Sequence, residues 1–253
     1  MRPNAVKQLF RQAKPALCAW CSIGNPYSAE TLGHAGFDAV VIDLQHGMIF
    51  LDQAMPMLSA ISSTPATPLV RISENQFFEA NKMLDAGAYG IICPMIDDVA
   101  SAQRFVSACR YPPAGRRSFG PTRGLLYGGA DYFEHANDEI LTLGMIETPQ
   151  GLENLDRIAA VDGLDGIFIG PSDLSLALGA PPLPDWTRDP LRSAIDRILE
   201  TTRNHGKMAG IFCINLAFGL AMKAKGFDLI NVSNDAAMLR TTGAGWVGEL
   251  RGA

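Results

Sequence analysis

Short, continuously apolar runs recur along the whole chain and alternate with longer stretches of helical periodicity. The runs are Leu17–Ser22, Ala39–Asp43, Leu69–Ile72, Gly90–Met95, Leu141–Glu147, Gly166–Gly170, Met208–Cys213 and Leu229–Ser233. Most are rich in Val and Ile and show no polar alternation, as parallel strands covered on both faces do. Between them the spacing predicts helices over Ser28–Ala35, Asp52–Ile61, Phe77–Ala86, Val99–Cys109, Gly151–Ala160, Asp189–His205 and Leu216–Lys225, with a last one from Asn234. Three junctions share one cadence: HAGFDAVVID, DAGAYGIICP and AKGFDLINVS. In each, a Gly can close the helix in the left-handed conformation, and the aromatic after it packs as the chain turns into the next strand.

Eight strand–helix units in strict alternation predict an α/β fold, a closed (β/α)8 TIM barrel forming a single domain over residues 1–253. No GxGxxG follows the first strand and no Walker sequence occurs, so an open nucleotide-binding sheet has no support. One long segment, Tyr111–Asn137, lies between the fourth and fifth strands. With Pro112, Pro113, Pro121 and several glycines it makes a poor helix or strand and reads as a loop. Loops this long inside a compact domain are usually functional or disordered.

Composition narrows the partners. Of the 253 residues, 47% are hydrophobic and 19% charged, an ordinary balance for a chain with a substantial core. A net charge of −5 argues against nucleic acid or an anionic membrane, which reward clustered Lys and Arg. It leaves an acidic small molecule open, because a few placed arginines bind a carboxylate whatever the overall sign. Five scattered cysteines form no disulfide framework, and residues three apart in a strand, such as Cys18 and Cys21, point to opposite faces. No N-terminal apolar leader and no run of ~20 apolar residues is present, so a cytoplasmic protein is expected.

In a barrel, the C-terminal ends of the strands and the loops after them build the active site. Applied to the runs above, this places Trp20 and Ser22, Asp43 with Gln45 and His46, Arg71, Glu147, and the turn Gly170–Pro171–Ser172 leading to Asp173 on one face. Glu147 closes an apolar strand, where a carboxylate is costly unless it is paired or binds a cation. With Asp173 on the neighbouring strand it makes an open carboxylate pair, suited to Mg²⁺, Mn²⁺ or Co²⁺. Taken singly, Asp173 would serve as a helix N-cap. His46 is the histidine nearest this face, and Asp43, three residues earlier, could orient its ring for proton transfer. Arg71 suits a carboxylate or an enolate oxygen; its alternative is an ion pair with Glu74 or Asp43. None of the six lysines falls at a strand's C-terminal end, which argues against a Schiff-base enzyme.

These residues and their motifs resemble the HpcH/HpaI aldolase family of metal-dependent class II pyruvate aldolases. The resemblance runs from about Leu17 to Asp235. It rests on GFDAVVIDLQHG, PLVRI, GAYGIICPMIDDVASAQ, the arginine-bearing loop through GPTRG, MIETPQGLENLDRIAAVDGLDGIFIGPSDLSLALG and GIFC. It implies reversible aldol cleavage of a 4-hydroxy-2-keto acid to pyruvate, or a related 2-keto acid, and an aldehyde. Glu147 and Asp173 would bind the metal, Arg71 the enolate, and Asp43 and His46 would manage the proton. The backbone after Gly170, at Ser172 and Asp173, would receive the substrate carboxylate, and Trp20 would line the pocket. The resemblance also implies a hexamer built as a trimer of dimers, with the C-terminal helix and the Arg116–Arg123 loop as contact regions. Two positions depart from the family pattern: Met145 stands where Gln is frequent, and Gln45 where Glu is. A CoA-thioester lyase of the citrate lyase β-subunit type and a non-catalytic binding barrel are the competing readings. The first would need a basic groove, and the second would lack part of the polar set.

Overall fold

The eight apolar runs form eight parallel strands, hydrogen-bonded in chain order into a closed barrel. The computed structural model describes residues 1–182 and 185–252; Ala253, the last residue of the expected domain, lies outside them. The strands are β1 (Ala16–Cys21), β2 (Ala39–Asp43), β3 (Thr67–Arg71), β4 (Gly90–Cys93), β5 (Leu141–Ile146), β6 (Gly166–Ile169), β7 (Met208–Cys213) and β8 (Leu229–Val232). A helix, α1 (Ala5–Arg11), precedes β1. Between the strands lie α2 (Pro26–His34), α3 (Leu51–Ile61), α4 (Phe77–Asp85), α5 (Val99–Cys109), α6 (Thr122–Gly128) and α7 (Tyr132–Glu139). The second half adds α8 (Pro149–Glu153), α9 (Leu155–Ala159), α10 (Pro171–Ala177), α11 (Leu191–Asn204), α12 (Leu216–Lys225) and α13 (Asp235–Arg251).

Strand parity sorts the core into two layers. Cys18, Trp20, Val41, Leu69, Leu143 and Phe168 belong to the cluster that fills the barrel. Their neighbours Ala19, Val40, Ile42, Val70 and Ile167 pack in the layer under the helices. Cys18 and Cys21 fall in different layers, as their spacing requires, and both thiols are free and buried. Gly36, Gly87 and Gly226 all have positive φ, so the shared junction cadence is a left-handed helix stop at each of the three sites.

The end of the barrel opposite the strands' C-terminal ends is closed by α1. Val6, Leu9 and Phe10 of α1 pack against the interior cluster and close it. Lys7 and Arg110 both reach Asp165, at 2.8 and 2.7 Å. Aspartates that precede strands also tie neighbouring strands together. Asp38 accepts the Leu17 amide, Asp165 that of Thr142, and Asp228 that of Ala209.

The segment Tyr111–Asn137, read as irregular from its prolines, contains α6 and the start of α7. Tyr132 and Ala136, one helical turn apart, are buried there, and Asn137 exchanges hydrogen bonds with the Tyr111 backbone. Packing, not local periodicity, forms these short helices. The loop's arginines are also mostly committed within the chain. Arg117 is buried, donating to Tyr132 and to Asp85, and Arg123 donates to the Ala86 carbonyl and the Ser62 hydroxyl. Arg116 alone of the three is exposed.

Candidate active site

The polar groups at the C-terminal ends of the strands enclose a cavity of about 210 Å³ at the barrel mouth. Asp43, Arg71, His46, Ser172, Asp173 and Trp20 all line it. The structure therefore brings together site residues drawn from four separate stretches of sequence.

Glu147 immediately follows β5 and is 2% exposed. Its Oε1 accepts the Met95 amide at 2.9 Å. Its Oε2 is buried and has no hydrogen-bond partner among the described residues. Burial pushes its carboxyl up to about 7; the charge on Asp173 adds to this, and the Met95 amide and Arg71 oppose it. Met95 holds a φ of 55° to deliver that amide, a left-handed conformation that is unusual for a residue with a side chain. Gly170 makes the room: a Cβ there would stand 2.3 Å from Glu147 Oε2 and 2.9 Å from Met145 Cε.

Asp173 lies in the first turn of α10, which has Gly170 at its N-cap position and no side-chain cap. Asp173 therefore does not cap the helix, and its carboxylate lines the cavity. Among the described residues no group of three or more His, Cys, Asp or Glu side chains is arranged to hold a metal ion. What the site offers is a carboxylate pair whose inner member carries a buried oxygen without a donor. A cation is the group such an oxygen lacks.

Asp43 and Arg71 are register partners across β2 and β3. Arg71 Nε and Nη2 donate to Asp43 Oδ1 and Oδ2 at 2.8 and 2.6 Å. The Trp20 indole donates to Asp43 Oδ2 at 3.1 Å, and the guanidinium carbon lies 5.0 Å from the Trp20 ring centroid. Burial alone would raise the Asp43 carboxyl; hydrogen bonds and charge from Arg71, with the Trp20 indole and the His46 amide, outweigh it and hold it below its ordinary value. Of the two ion-pair partners weighed for Arg71, the structure selects Asp43.

The expected contact from Asp43 to the His46 ring is not made. Asp43 Oδ1 accepts the backbone amides of Gln45 and His46 at 3.1 and 3.3 Å, because its two oxygens already face the Arg71 fork. The His46 side chain is exposed at the rim. The short step from the strand end to the loop gives Asp43 an amide contact with His46, and His46 still lines the cavity.

The floor of the cavity is aromatic beyond Trp20. Trp20 sits 5.6 Å from Phe168 and 5.4 Å edge-on from Phe212, centroid to centroid. Both phenylalanines, together with Met145 and Asn234, line the cavity. Phe168 and Phe212 occupy inward strand positions, so parity was the available signal. Met145, one of the two departures from the family pattern, lies beneath Gly170. Gln45, the other, has its side-chain oxygen buried without a partner among the described residues.

A family model described as HpcH/HpaI aldolase/citrate lyase matches residues 17–240. A hydroxypyruvate/pyruvate aldolase of Rhizorhabdus wittichii is 44% identical over 236 residues, 93% of this chain and 94% of its own. A 5-keto-4-deoxy-D-glucarate aldolase of Escherichia coli is 34% identical over 241 residues, 94% of this chain and 93% of its own. Among solved structures, an HpcH/HpaI aldolase/citrate lyase family protein from Burkholderia cenocepacia superposes with a TM-score of 0.91 at 31% identity, covering 98% of this chain and 99% of that one.

Proposed function

The chain belongs to the HpcH/HpaI aldolase/citrate lyase family and is a carbon–carbon lyase of the aldolase class; on that premise we propose its reaction and the residues that carry it. The whole chain, 1–253, acts as one catalytic domain that reversibly cleaves a 4-hydroxy-2-keto acid to a short 2-keto acid and an aldehyde. The keto acid is pyruvate or hydroxypyruvate, the pair named for the Rhizorhabdus relative. The observation that carries this reading is the buried, unpartnered Glu147 oxygen, behind a cavity that also holds Asp173 and Arg71.

Glu147 and Asp173 would hold a divalent cation, Mg²⁺, Mn²⁺ or Co²⁺, leaving other positions to water and substrate. When bound, the cation would act as a Lewis acid on the keto-acid oxygens while the C3–C4 bond breaks. Arg71, clamped by Asp43, donates to the enolate oxygen at C2. The amides of Ser172 and Asp173 receive the substrate carboxylate; in the first turn of α10 they have no acceptor within the helix. His46 takes the proton from the C4 hydroxyl, and the enolate carbon then takes one up to give the keto-acid product. Trp20, Phe168 and Phe212 keep bulk water from the enolate. Among the described residues no lysine lines the cavity, and Lys7 and Lys207 donate to carbonyls at the opposite end of the barrel.

Retro-aldol turnover of hydroxy-keto acids with a pyruvate readout tests this directly. Exhaustive chelation should abolish it, and Mg²⁺, Mn²⁺ or Co²⁺ should restore it. Unchanged turnover after chelation overturns the metal assignment. The CoA-lyase alternative is the weaker reading, since Arg117 and Arg123 are bonded within the chain and, among the described residues, Arg71 is the one arginine at the cavity.

The assembly that fits is a homo-oligomer, a hexamer formed as a trimer of dimers. In α13 the one fully buried residue is Asp235, while Leu239, Trp246, Val247 and Leu250 are exposed, more apolar surface than an isolated helix face ordinarily shows. Light scattering on the purified protein measures the mass. No helix among the described residues is long and apolar enough to cross a membrane, consistent with a cytoplasmic enzyme.

A further inference from the structure

One side of the cavity mouth is not used by the reaction above. Ser22 follows β1 and Asn234 follows β8, and these strands are adjacent. Both residues line the same cavity as His46 and Asp173. Around the ring β1 stands across from β5, which leads to Glu147.

Their hydrogen bonds fix what each can offer. The Ser22 hydroxyl donates to Asp235 Oδ1 at 2.8 Å, and the same oxygen accepts the Ser22 amide. With its proton committed, Ser22 Oγ can present only lone pairs to a ligand. Asn234 is the mirror case. Its Oδ1 accepts the Ala237 amide at 2.8 Å as the N-cap of α13, which sets the orientation of the amide. Its Nδ2 has no partner among the described residues and remains a donor. Ser233, just before it, has a φ of 63°, a left-handed conformation that persists only where the surroundings require it.

We propose that Asn234, with Ser22, determines acceptor specificity by binding a hydroxyl group next to the aldehyde carbonyl. The proposal rests on the aldolase reading and extends it to the second substrate. A hydroxyl accepts from Asn234 Nδ2 and donates to Ser22 Oγ, so one group satisfies both. The carbon being bonded lies between the enolate, held at β3, β5 and β6, and His46 after β2. The remainder of the aldehyde then points toward β1 and β8. A short hydroxyaldehyde fits the polar pair, and an alkyl group of equal size leaves the Asn234 donor unpaired, a loss on the order of tenfold.

The test compares glycolaldehyde with its near-isostere propionaldehyde as acceptors of pyruvate. The variants are Asn234→Ser and Asn234→Asp, which both retain a capping oxygen for α13. The ratio of kcat/KM for glycolaldehyde over propionaldehyde should fall on the order of tenfold in both. A ratio within twofold of wild type in both overturns the proposal. Exchange of the pyruvate C3 protons with deuterated water, followed by NMR on the wild-type enzyme without aldehyde, reads the donor half alone. Exchange with an unchanged ratio removes only the role of Asn234. No exchange overturns the aldolase reading and this inference with it.

Discussion

Asp43 and Arg71 face each other in register across β2 and β3 and are joined by two hydrogen bonds of 2.8 and 2.6 Å. The pair is almost fully buried, and Trp20 secures it from both sides, by its indole to Asp43 and its ring face to Arg71. Asp43 is thus better placed to aim the guanidinium than to tune His46. Asp43→Asn keeps the volume and leaves a buried cation short of its partner, which is expected to cost about 3 kcal/mol. Misaiming Arg71 should lower kcat/KM on the order of 100-fold. Steady-state kinetics with thermal melts checks both.

The same pair sets an acid limit. The Asp43 carboxyl is held below its ordinary value, so its contribution is present above the unfolded value of about 3.9 and is lost as pH falls through the folded one. The Tm gap between wild type and Asp43→Asn should be constant above about pH 5 and close as the pH drops below about 4. A gap that stays open on acidification would contradict the ion-pair account.

The Asp43–Arg71 pair also shows where sequence reasoning stops. The eight strands were legible because most of their positions are buried on both faces and so are mainly apolar, and barrel logic then placed Asp43, Arg71, Glu147 and Asp173 at one end. Local spacing brought Asp43 to His46, three residues away. Its actual partner, 28 residues on, entered only through one of two ion-pair alternatives for Arg71, because cross-strand register leaves no local trace. The helices inside Tyr111–Asn137 were hidden for a related reason. α7 buries two side chains and depends on Asn137 bonding to the Tyr111 backbone. The amide that anchors Glu147 comes from Met95, whose left-handed φ nothing in PMIDD announces.

Gly170→Ala should separate the fold from the carboxylate pair. The added Cβ meets Glu147 Oε2 at 2.3 Å and Met145 Cε at 2.9 Å. The Met145 end can move, whereas Glu147 is tied to Met95. Overpacking of this kind costs about 1–3 kcal/mol, and the displaced carboxylate should raise the metal concentration for half-activation about tenfold. A metal titration of activity, with Tm followed in parallel, would detect it. An unchanged half-activation point would remove Gly170 from the account of the site.

Arg117→Ala tests whether the loop arginines serve substrate or structure. Arg117 bonds Tyr132 and Asp85, each at 3.0 Å, and its guanidinium lies 4.4 Å from the Tyr111 ring centroid. Truncation leaves those partners unpaired and should cost about 3 kcal/mol, a Tm loss on the order of 10 °C. KM for the keto acid should stay within twofold. A raised KM with an unchanged Tm would return this arginine to substrate binding.

The Glu147 carboxylate gives the sharpest test, because without a cation it should destabilise the fold it sits in. Its carboxyl is raised from 4.5 to about 7, chiefly by burial and further by Asp173. A folded value above the unfolded one favours the native state below about pH 4.5, and this advantage is lost as pH rises to about 7. Above that the ionised side chain costs the metal-free protein about 3 kcal/mol. Glu147→Gln removes the charge at nearly constant shape, and the Met95 amide can still donate to its side-chain oxygen. In chelator at pH 8 the variant should therefore melt higher than wild type, and at pH 4.5 the two should coincide. Adding Mg²⁺ or Mn²⁺ at pH 8 should raise the wild-type Tm and leave the variant where it was, while the variant's retro-aldol activity stays lost. A variant that melts lower than wild type at pH 8 in chelator would mean that Glu147 is a structural hydrogen-bonding group, and the cation assignment would fail with it.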